Sequence, residues 1–314
     1  MKARVINKNI IDVVLFLGIL FGILALSSAM IKPDYGEVYN IVQVDQTLDA
    51  FEREAPDTID VIFAGNSEVY RTFSPLQIFN DTGITSYCMS DSALRLCDAY
   101  ELIKAAFNTQ NPKVVILEAD AVFSDAHPHK DADAGPTNLI EDIFPIFHYH
   151  NFYKTYMPGS RDNSLKGFVK TDESKPYTGP EDYMSVGDPV GINEESRTYL
   201  NKIREFCEEK KVPLIIVAAP NAKNWTYSKN EALTKYAEKY GLDFVDLNTH
   251  LDDMGIDWQT DTMDGGNHVS FSGSEKTTRF IEEYLKDNCS LPDHRGDPLY
   301  SDWEKYSKEH YQDQ

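Results

Sequence analysis

Basic residues are scarce in this chain of 314 residues. It has 30 lysines and arginines against 51 aspartates and glutamates, which leaves a net charge of −21 at pH 7. Nucleic acid and anionic membrane surfaces would be repelled by this excess of negative charge. We therefore expect no nucleic-acid partner, whereas a neutral or cationic substrate is compatible with the composition.

Cysteine is infrequent, with four residues at positions 88, 97, 207 and 289. Their spacing matches no zinc-binding pattern and three of them lie in apolar periodic segments, so buried free thiols are expected. A disulfide between Cys88 and Cys97 stays open as an alternative. No Walker or dinucleotide-binding glycine pattern follows any predicted strand, so no nucleotide or other cofactor is expected.

One long apolar segment is present, close to the N-terminus. Lys2, Arg4 and Lys8 precede an apolar run at 10–31 that is broken only by Asp12 and small residues. About 20 such residues can cross the hydrocarbon core of a membrane. The preceding positive charge predicts an N-terminus inside and the bulk of the chain outside. We expect an uncleaved single-pass anchor; a signal peptide cleaved in "LSSAM" is the alternative.

The rest of the chain alternates strand-like and helix-like segments. Nearly continuous apolar runs, typical of strands buried on both faces of a parallel sheet, occur at 58–65, 84–90, 113–120, 212–220 and 243–248. Helical periodicity occurs at 93–109, 194–211, 228–241 and 272–288. Ser228 is the expected N-cap of the third of these helices and Gly241 its C-terminal glycine. The alternation predicts a doubly wound α/β domain with a parallel five-stranded sheet.

These patterns divide the chain into four regions. We expect a cytoplasmic stub and anchor at 1–32, a linker at 33–55, the α/β domain at 56–290 and a polar surface tail at 291–314. Within the domain, 124–193 shows no clean period and is too long for a structureless loop, so it is predicted to be a folded, lid-like insertion. Its histidine pairs at 127–129 and 148–150, near Asp131 and Asp133, lack a third ligand at typical spacing, so aromatic packing is favoured and no metal is expected.

The stretch "DVIFAGNSEVYRTFSP" at 60–75 ends a predicted strand in three polar residues. Ser67 follows that strand and precedes a helix predicted from "SPLQIFND", which puts its hydroxyl at the carboxyl edge of the sheet. Backbone N–H groups at such a turn can face a developing oxyanion. The alternative is an ordinary N-cap serine. Glu68 is expected to pair with Arg71 or to act as an acidic residue of the first helical turn.

A second stretch, "DTMDGGNHVSF", precedes the last predicted helix. A nucleophilic serine needs a base, and the base needs a third group that fixes its tautomer. His268 and Asp264 can supply these two roles for Ser67, with Asp261 as the alternative acid.

Polar residues also follow the fourth strand at the same edge of the sheet, so Asn221, Lys223 and Trp225 are predicted to bind substrate. An exposed Trp225 would suit stacking on a sugar ring. Burial of Trp225 under the lid is the alternative.

The blocks "GNS" (65–67) and "DGGNH" (264–268) resemble those of the SGNH (GDSL-type) hydrolase family over roughly 56–290. The resemblance implies an SGNH/flavodoxin-like fold and serine hydrolase chemistry. It is closer to a membrane-anchored bacterial surface branch, through 220–248 and 267–285, with a layout similar to the D-alanyl transfer protein of lipoteichoic acid synthesis.

Two departures from the family pattern affect the oxyanion hole. Ser90 stands where the family has a glycine, and Glu118 and Asp120 stand where it has an asparagine donor. The N–H groups of Ser67 and Ser90 remain available in this prediction, with Asn66 or Asn221 as a substitute donor.

The resemblance and the anchor together predict an extracytoplasmic serine esterase or acyltransferase. Its substrates would be acetyl or amino-acyl esters of a cell-surface polysaccharide or teichoic acid, with a membrane-bound acyl-transfer protein as a possible partner. The alternative is a non-catalytic glycopolymer-binding or assembly protein with a degenerate site.

Overall fold

The computed structural model of this protein describes residues 8–31, 41–123, 144, 146–147 and 163–311. The chain divides into two compact units, one of residues 1–36 with 128–158 and one of residues 37–127 with 159–314. The histidine pairs at 127–129 and 148–150, and much of the predicted insertion, lie outside the described residues.

The described part of the first unit is mainly the helix α1, Lys8–Ile31. Its segment Asn9–Ala29 is long and apolar enough to cross a membrane, and it is the one helix of this kind among the described residues. Its large apolar side chains are mostly exposed, as in an anchor or a signal sequence rather than in the core helix of a globular domain.

The second unit is built on a sheet of five strands that are all parallel, in the order β2-β1-β3-β4-β5. The strands are β1 Val61–Gly65, β2 Ser86–Ser90, β3 Val114–Glu118, β4 Leu214–Ala218 and β5 Asp243–Asp246. Every residue of the first four strands is buried, which explains their continuous apolar runs. The predicted α/β class and five-stranded parallel sheet are confirmed.

Helices precede, connect and follow the strands of this sheet. They are α2 Ile41–Phe51, α3 Ser67–Thr72, α4 Pro75–Thr82, α5 Leu96–Ala106, α6 Glu194–Lys210, α7 Tyr227–Tyr240, α8 Leu251–Met254, α9 Phe271–Asn288 and α10 Ser301–Tyr311. Gly241 ends α7 in the left-handed conformation, as predicted. The N-cap of α7 was predicted wrongly: Thr226, not Ser228, accepts the Lys229 N–H, and the Ser228 hydroxyl accepts the N–H of Val190 instead.

Two regions outside the predicted α/β domain carry helices that pack on it. The predicted linker contains α2, in which Val44 and Phe51 are buried. The predicted surface tail contains α10, whose Trp303 is buried and lies 5.4 Å from the Phe79 ring of α4, centroid to centroid. The tail therefore packs on the core, which its polar composition did not indicate.

The insertion and the cysteines complete the fold. Within residues 163–193 of the insertion, the regular element is a short 3₁₀ helix, Tyr183–Ser185, and Lys166 makes a buried ion pair of 2.8 Å with Glu54. None of the four cysteines, all within the described residues, forms a disulfide, and Cys88, Cys97 and Cys207 are buried as expected.

Candidate active site

The strand β1 ends in a turn that carries the serine of the "GNS" block, and this serine is partly exposed. A Cβ on Gly65 would lie 2.8 Å from the Glu118 Cβ and 2.9 Å from the Val69 Cγ2, so glycine is needed where β1 meets β3 and α3. Asn66 is the N-cap of α3, and its side-chain oxygen accepts the Glu68 N–H at 3.0 Å. Because Asn66 fills the capping role, the Ser67 hydroxyl is not used as a cap.

The three predicted triad side chains lie in one hydrogen-bonded chain. The Nε2 of His268 is 2.9 Å from the Ser67 Oγ, and its Nδ1 is 2.6 Å from the Asp264 Oδ2. These distances are within hydrogen-bond range, and Nε2 and Nδ1 face the partners that the sequence analysis assigned to them. The arrangement can take a proton from Ser67 and hold the resulting imidazolium.

The loop between the acid and the base explains their four-residue separation. Gly265 and Gly266 both have positive φ, at 82° and 104°. The loop turns back through these glycines, so that the Asp264 Oδ1 accepts the backbone N–H groups of Asn267 at 3.0 Å and His268 at 2.9 Å. Partial burial acts to raise the pKa of Asp264, but the hydrogen bonds from His268 and Asn267 outweigh it and lower that pKa.

Asp261, the alternative acid, makes side-chain hydrogen bonds to residues of α9. Its side chain is buried and accepts hydrogen bonds from the Ser272 Oγ at 2.7 Å and the Lys276 Nζ at 2.5 Å. Burial acts to raise the pKa of Asp261, and hydrogen bonds from the Asp257 backbone, Lys276 and Ser272 lower it overall. Asp264, rather than Asp261, is therefore the partner of His268.

The predicted oxyanion donors differ in their placement and in their hydrogen bonds. Ser90 pairs with Gly65 in the parallel register, so its backbone lies beside the turn that carries Ser67. Ser67 is the first residue of α3, where an N–H has no acceptor within the helix. The Asn66 amide nitrogen has no hydrogen-bond partner in the described part of the chain, whereas the Asn221 amide nitrogen donates to the Glu68 Oε1 at 2.8 Å. Of the two substitute donors, Asn221 is therefore already engaged, with Glu68.

The surroundings of Glu68 differ from those predicted for it. Arg71 donates to the carbonyl of Val169 at 3.1 Å, and Glu68 turns inward, where 3% of it is exposed. Its Oε1 lies 3.8 Å from the Nε2 of His268. Burial, followed by the charges of Glu118 and Asp120, holds the pKa of Glu68 well above its usual value. A buried acid beside the nucleophile was missed, although its position next to Ser67 was the available signal.

Glu118 is a second buried acid, at the end of β3. Its Oε1 accepts the N–H of Asp120 at 2.9 Å and its Oε2 that of Ala121 at 3.4 Å. Burial, followed by the charge of Asp120, raises its pKa to about 8. Asp120 itself makes an ion pair of 2.8 Å with Lys229 of α7.

The three residues predicted to bind substrate have different surroundings. Asn221 is buried, and its Oδ1 accepts the N–H groups of Lys223 and Asn224. Lys223 is exposed, and its Nζ donates to the Asp264 carbonyl at 2.8 Å. Trp225 is 1% exposed and its Nε1 donates to Asp246 at 2.8 Å, so burial, the alternative interpretation, describes it and a sugar cannot stack on it.

Comparison of the chain with the models of known protein families finds no match, and no curated protein matches the sequence either.

Proposed function

We propose that this protein is a serine esterase or acyltransferase that works through an acyl-enzyme. The observation that supports this proposal is the chain of hydrogen bonds from Ser67 through His268 to Asp264. A partly exposed serine, a base within hydrogen-bond reach and a third group that orients the base make up the constellation of nucleophilic acyl transfer.

The reaction follows from this geometry. The Ser67 Oγ attacks an ester carbonyl while its proton passes to the Nε2 of His268, and the N–H groups of Ser67 and Ser90 receive the oxyanion. His268 then returns the proton to the leaving alkoxide as its C–O bond breaks, which leaves an acyl group on Ser67. Water or a second hydroxyl attacks that ester by the same proton route, so hydrolysis and transfer share one site.

The proposed substrates are acetyl or amino-acyl esters of a cell-surface polysaccharide or teichoic acid. The apolar helix α1 supports a membrane location, and its flanking charges predict a domain outside the membrane. This compartment, together with the resemblance to SGNH hydrolases, favours a membrane-proximal glycopolymer over a soluble metabolite.

A non-catalytic glycopolymer-binding protein is the second candidate. It is favoured by the two buried acids near the nucleophile, since Glu118 stands where the resembled family has an asparagine donor. This second candidate predicts that Ser67 does not react, so one experiment distinguishes the two functions.

The deciding experiment is covalent labelling of the full-length protein in detergent with a fluorophosphonate probe, beside hydrolysis of an activated acetyl ester. We expect wild type to be labelled and Ser67→Ala to lose both signals while its circular dichroism is unchanged. Ser92→Ala, an exposed serine just beyond β2, is the matched control and should be labelled like wild type. Labelling of folded Ser67→Ala, or none in wild type, would refute the proposal.

A further inference from the structure

Glu68 is a buried titratable group for which the proposed reaction has no use so far. Its Oε1 accepts the Asn221 amide hydrogen at 2.8 Å. Its Oε2 is buried and has no hydrogen-bond partner among the described residues. Leaving an ionised oxygen buried and unpaired is costly, whereas a protonated one carries a hydrogen that a ligand can accept.

The charges around Glu68 favour its protonated form. The carboxylates of Asp120 and Asp264 oppose a further negative charge at this position, and so does Glu118 whenever it is ionised. The nearby cations are directed elsewhere, since Lys229 pairs with Asp120 and Lys223 donates to the backbone of Asp264. His268 is a further titratable neighbour, at 3.8 Å from the Glu68 Oε1. Burial adds to these effects, and together they keep the pKa of Glu68 well above its usual value.

We propose that Glu68 is a catalytic residue that acts as a neutral acid and donates the hydrogen of its Oε2 to the oxyanion formed at Ser67. Glu68 immediately follows the nucleophile, and its carboxyl group lies 3.8 Å from the His268 nitrogen that faces Ser67. Asn221 fixes Oε1 as the acceptor, which leaves Oε2 as the oxygen that carries the proton. The role rests on the proposed function, because it needs an acyl carbonyl at Ser67.

The proton of Glu68 is donated in a hydrogen bond and is not transferred. The Ser67 proton still goes to His268, and the carbonyl oxygen becomes an oxyanion that accepts from the carboxyl group. When the tetrahedral intermediate collapses, the carbonyl re-forms and Glu68 keeps its hydrogen. A neutral carboxylic acid in an apolar site can serve as such a donor. This donor would occupy the role of the asparagine that the chain lacks.

Two substitutions at Glu68 separate hydrogen-bond donation from shape. Glu68→Gln keeps a donor of similar size, whereas Glu68→Met keeps the unbranched shape without one. At pH 7 we expect Glu68→Met to lower the fluorophosphonate labelling rate and the ester kcat by about 10²–10³-fold relative to Glu68→Gln, with a small effect on KM. Glu282→Gln and Glu282→Met, at a buried acid on α9, are matched controls and should not differ.

A pH profile tests whether Glu68 acts in its neutral form, and this test does not need the Glu68→Met variant. It is recorded in the Glu118→Gln background, where Glu118 cannot titrate. We expect the labelling rate to fall at alkaline pH as Glu68 ionises, about tenfold per pH unit beyond that point. The Glu68→Gln/Glu118→Gln variant should lack this fall, because an amide donates at every pH in the range.

The outcomes separate this proposal from the function on which it rests. Labelling of wild type with equal rates for Glu68→Gln and Glu68→Met, or an alkaline fall that persists without Glu68, would overturn the role of Glu68 alone. No labelling of wild type would overturn the proposed function. In that case infrared spectroscopy still reports on Glu68. In the Glu118→Gln/Glu282→Gln background, which removes two other acids of raised pKa, the protonated-carboxyl absorption at pH 7 should be stronger with Glu68 than with Glu68→Gln.

Discussion

Replacing Asp264 by asparagine tests the orientation of His268 with little change of shape. The Asp264 Oδ1 accepts two backbone N–H groups of its loop, and the asparagine oxygen can keep both bonds. At the Oδ2 position, however, an amide nitrogen would face the His268 Nδ1, which is now 2.6 Å from a carboxylate oxygen. Because an amide nitrogen only donates, His268 would have to carry its hydrogen on Nε2.

The wrong tautomer removes the base from Ser67. An Nε2 that carries a hydrogen has no lone pair for the Ser67 proton, although the 2.9 Å distance between the two groups is retained. In serine proteases the corresponding substitution lowers kcat by about 10⁴. At 1.36 kcal/mol for each tenfold change, such a loss corresponds to about 5.4 kcal/mol of transition-state stabilisation. We expect a loss approaching this size in Asp264→Asn.

The assay is the second-order rate of fluorophosphonate labelling, normalised to folded protein. Asp261→Asn is the matched control, because Asp261 is buried three residues away and bonds Lys276 and Ser272 rather than His268. It should lose about 1–3 kcal/mol of stability with its charged hydrogen bond and keep a labelling rate of the wild-type order. Equal losses of rate in the two variants, or a near-normal rate in Asp264→Asn, would refute the assignment of the acid.

Two further predictions concern location and stability. The full-length protein should stay in the membrane fraction, and protease added to wall-free cells should digest its domain, because α1 can span a bilayer with positive charge before it; a soluble form that begins near Met30 would show cleavage instead. Burial, followed by the charge of Asp81, raises the pKa of Glu282 to about 8. Because the folded state therefore holds this proton more tightly than the unfolded chain, the contribution of Glu282 to stability should fall as the pH rises from about 4.3 towards 8. Glu282→Gln should raise Tm more at pH 8 than at pH 5, and an equal change at both would contradict this.

The sheet and most of its helices were predictable because their signals are local. Continuous apolar runs mark buried parallel strands wherever they occur, and the runs at 58–65 and 113–120 became β1 and β3. The predicted strands were longer than the observed ones, for example by residues 58–60 before β1 and by residues 119–120 after β3. The α10 helix was missed because its contact with the core rests on few apolar side chains, chiefly Trp303.

The triad positions were also predictable, because the ends of parallel strands meet at one edge of the sheet. Ser67 follows β1, and the loop of His268 leads into α9, so both were expected at that edge. The environment of Trp225 was not predictable, because its burial depends on Asp246, which lies 21 residues further along the chain. Glu68 was misjudged for the same reason, since its partner Asn221 is 153 residues away.

The charge states of the acids follow from these distant contacts and change how the site can be interpreted. From the sequence alone, an acid in place of the asparagine donor argues against catalysis, because a carboxylate would repel an oxyanion. In the structure, burial and the charge of Asp120 raise the pKa of Glu118 to about 8, so it is mostly neutral at pH 7. The pKa of Glu68 is also well above its usual value, while that of Asp264 is lowered by the hydrogen bonds from His268 and Asn267. Of these three acids, only the one that orients His268 carries a full negative charge at neutral pH, which removes the electrostatic objection to an oxyanion at Ser67.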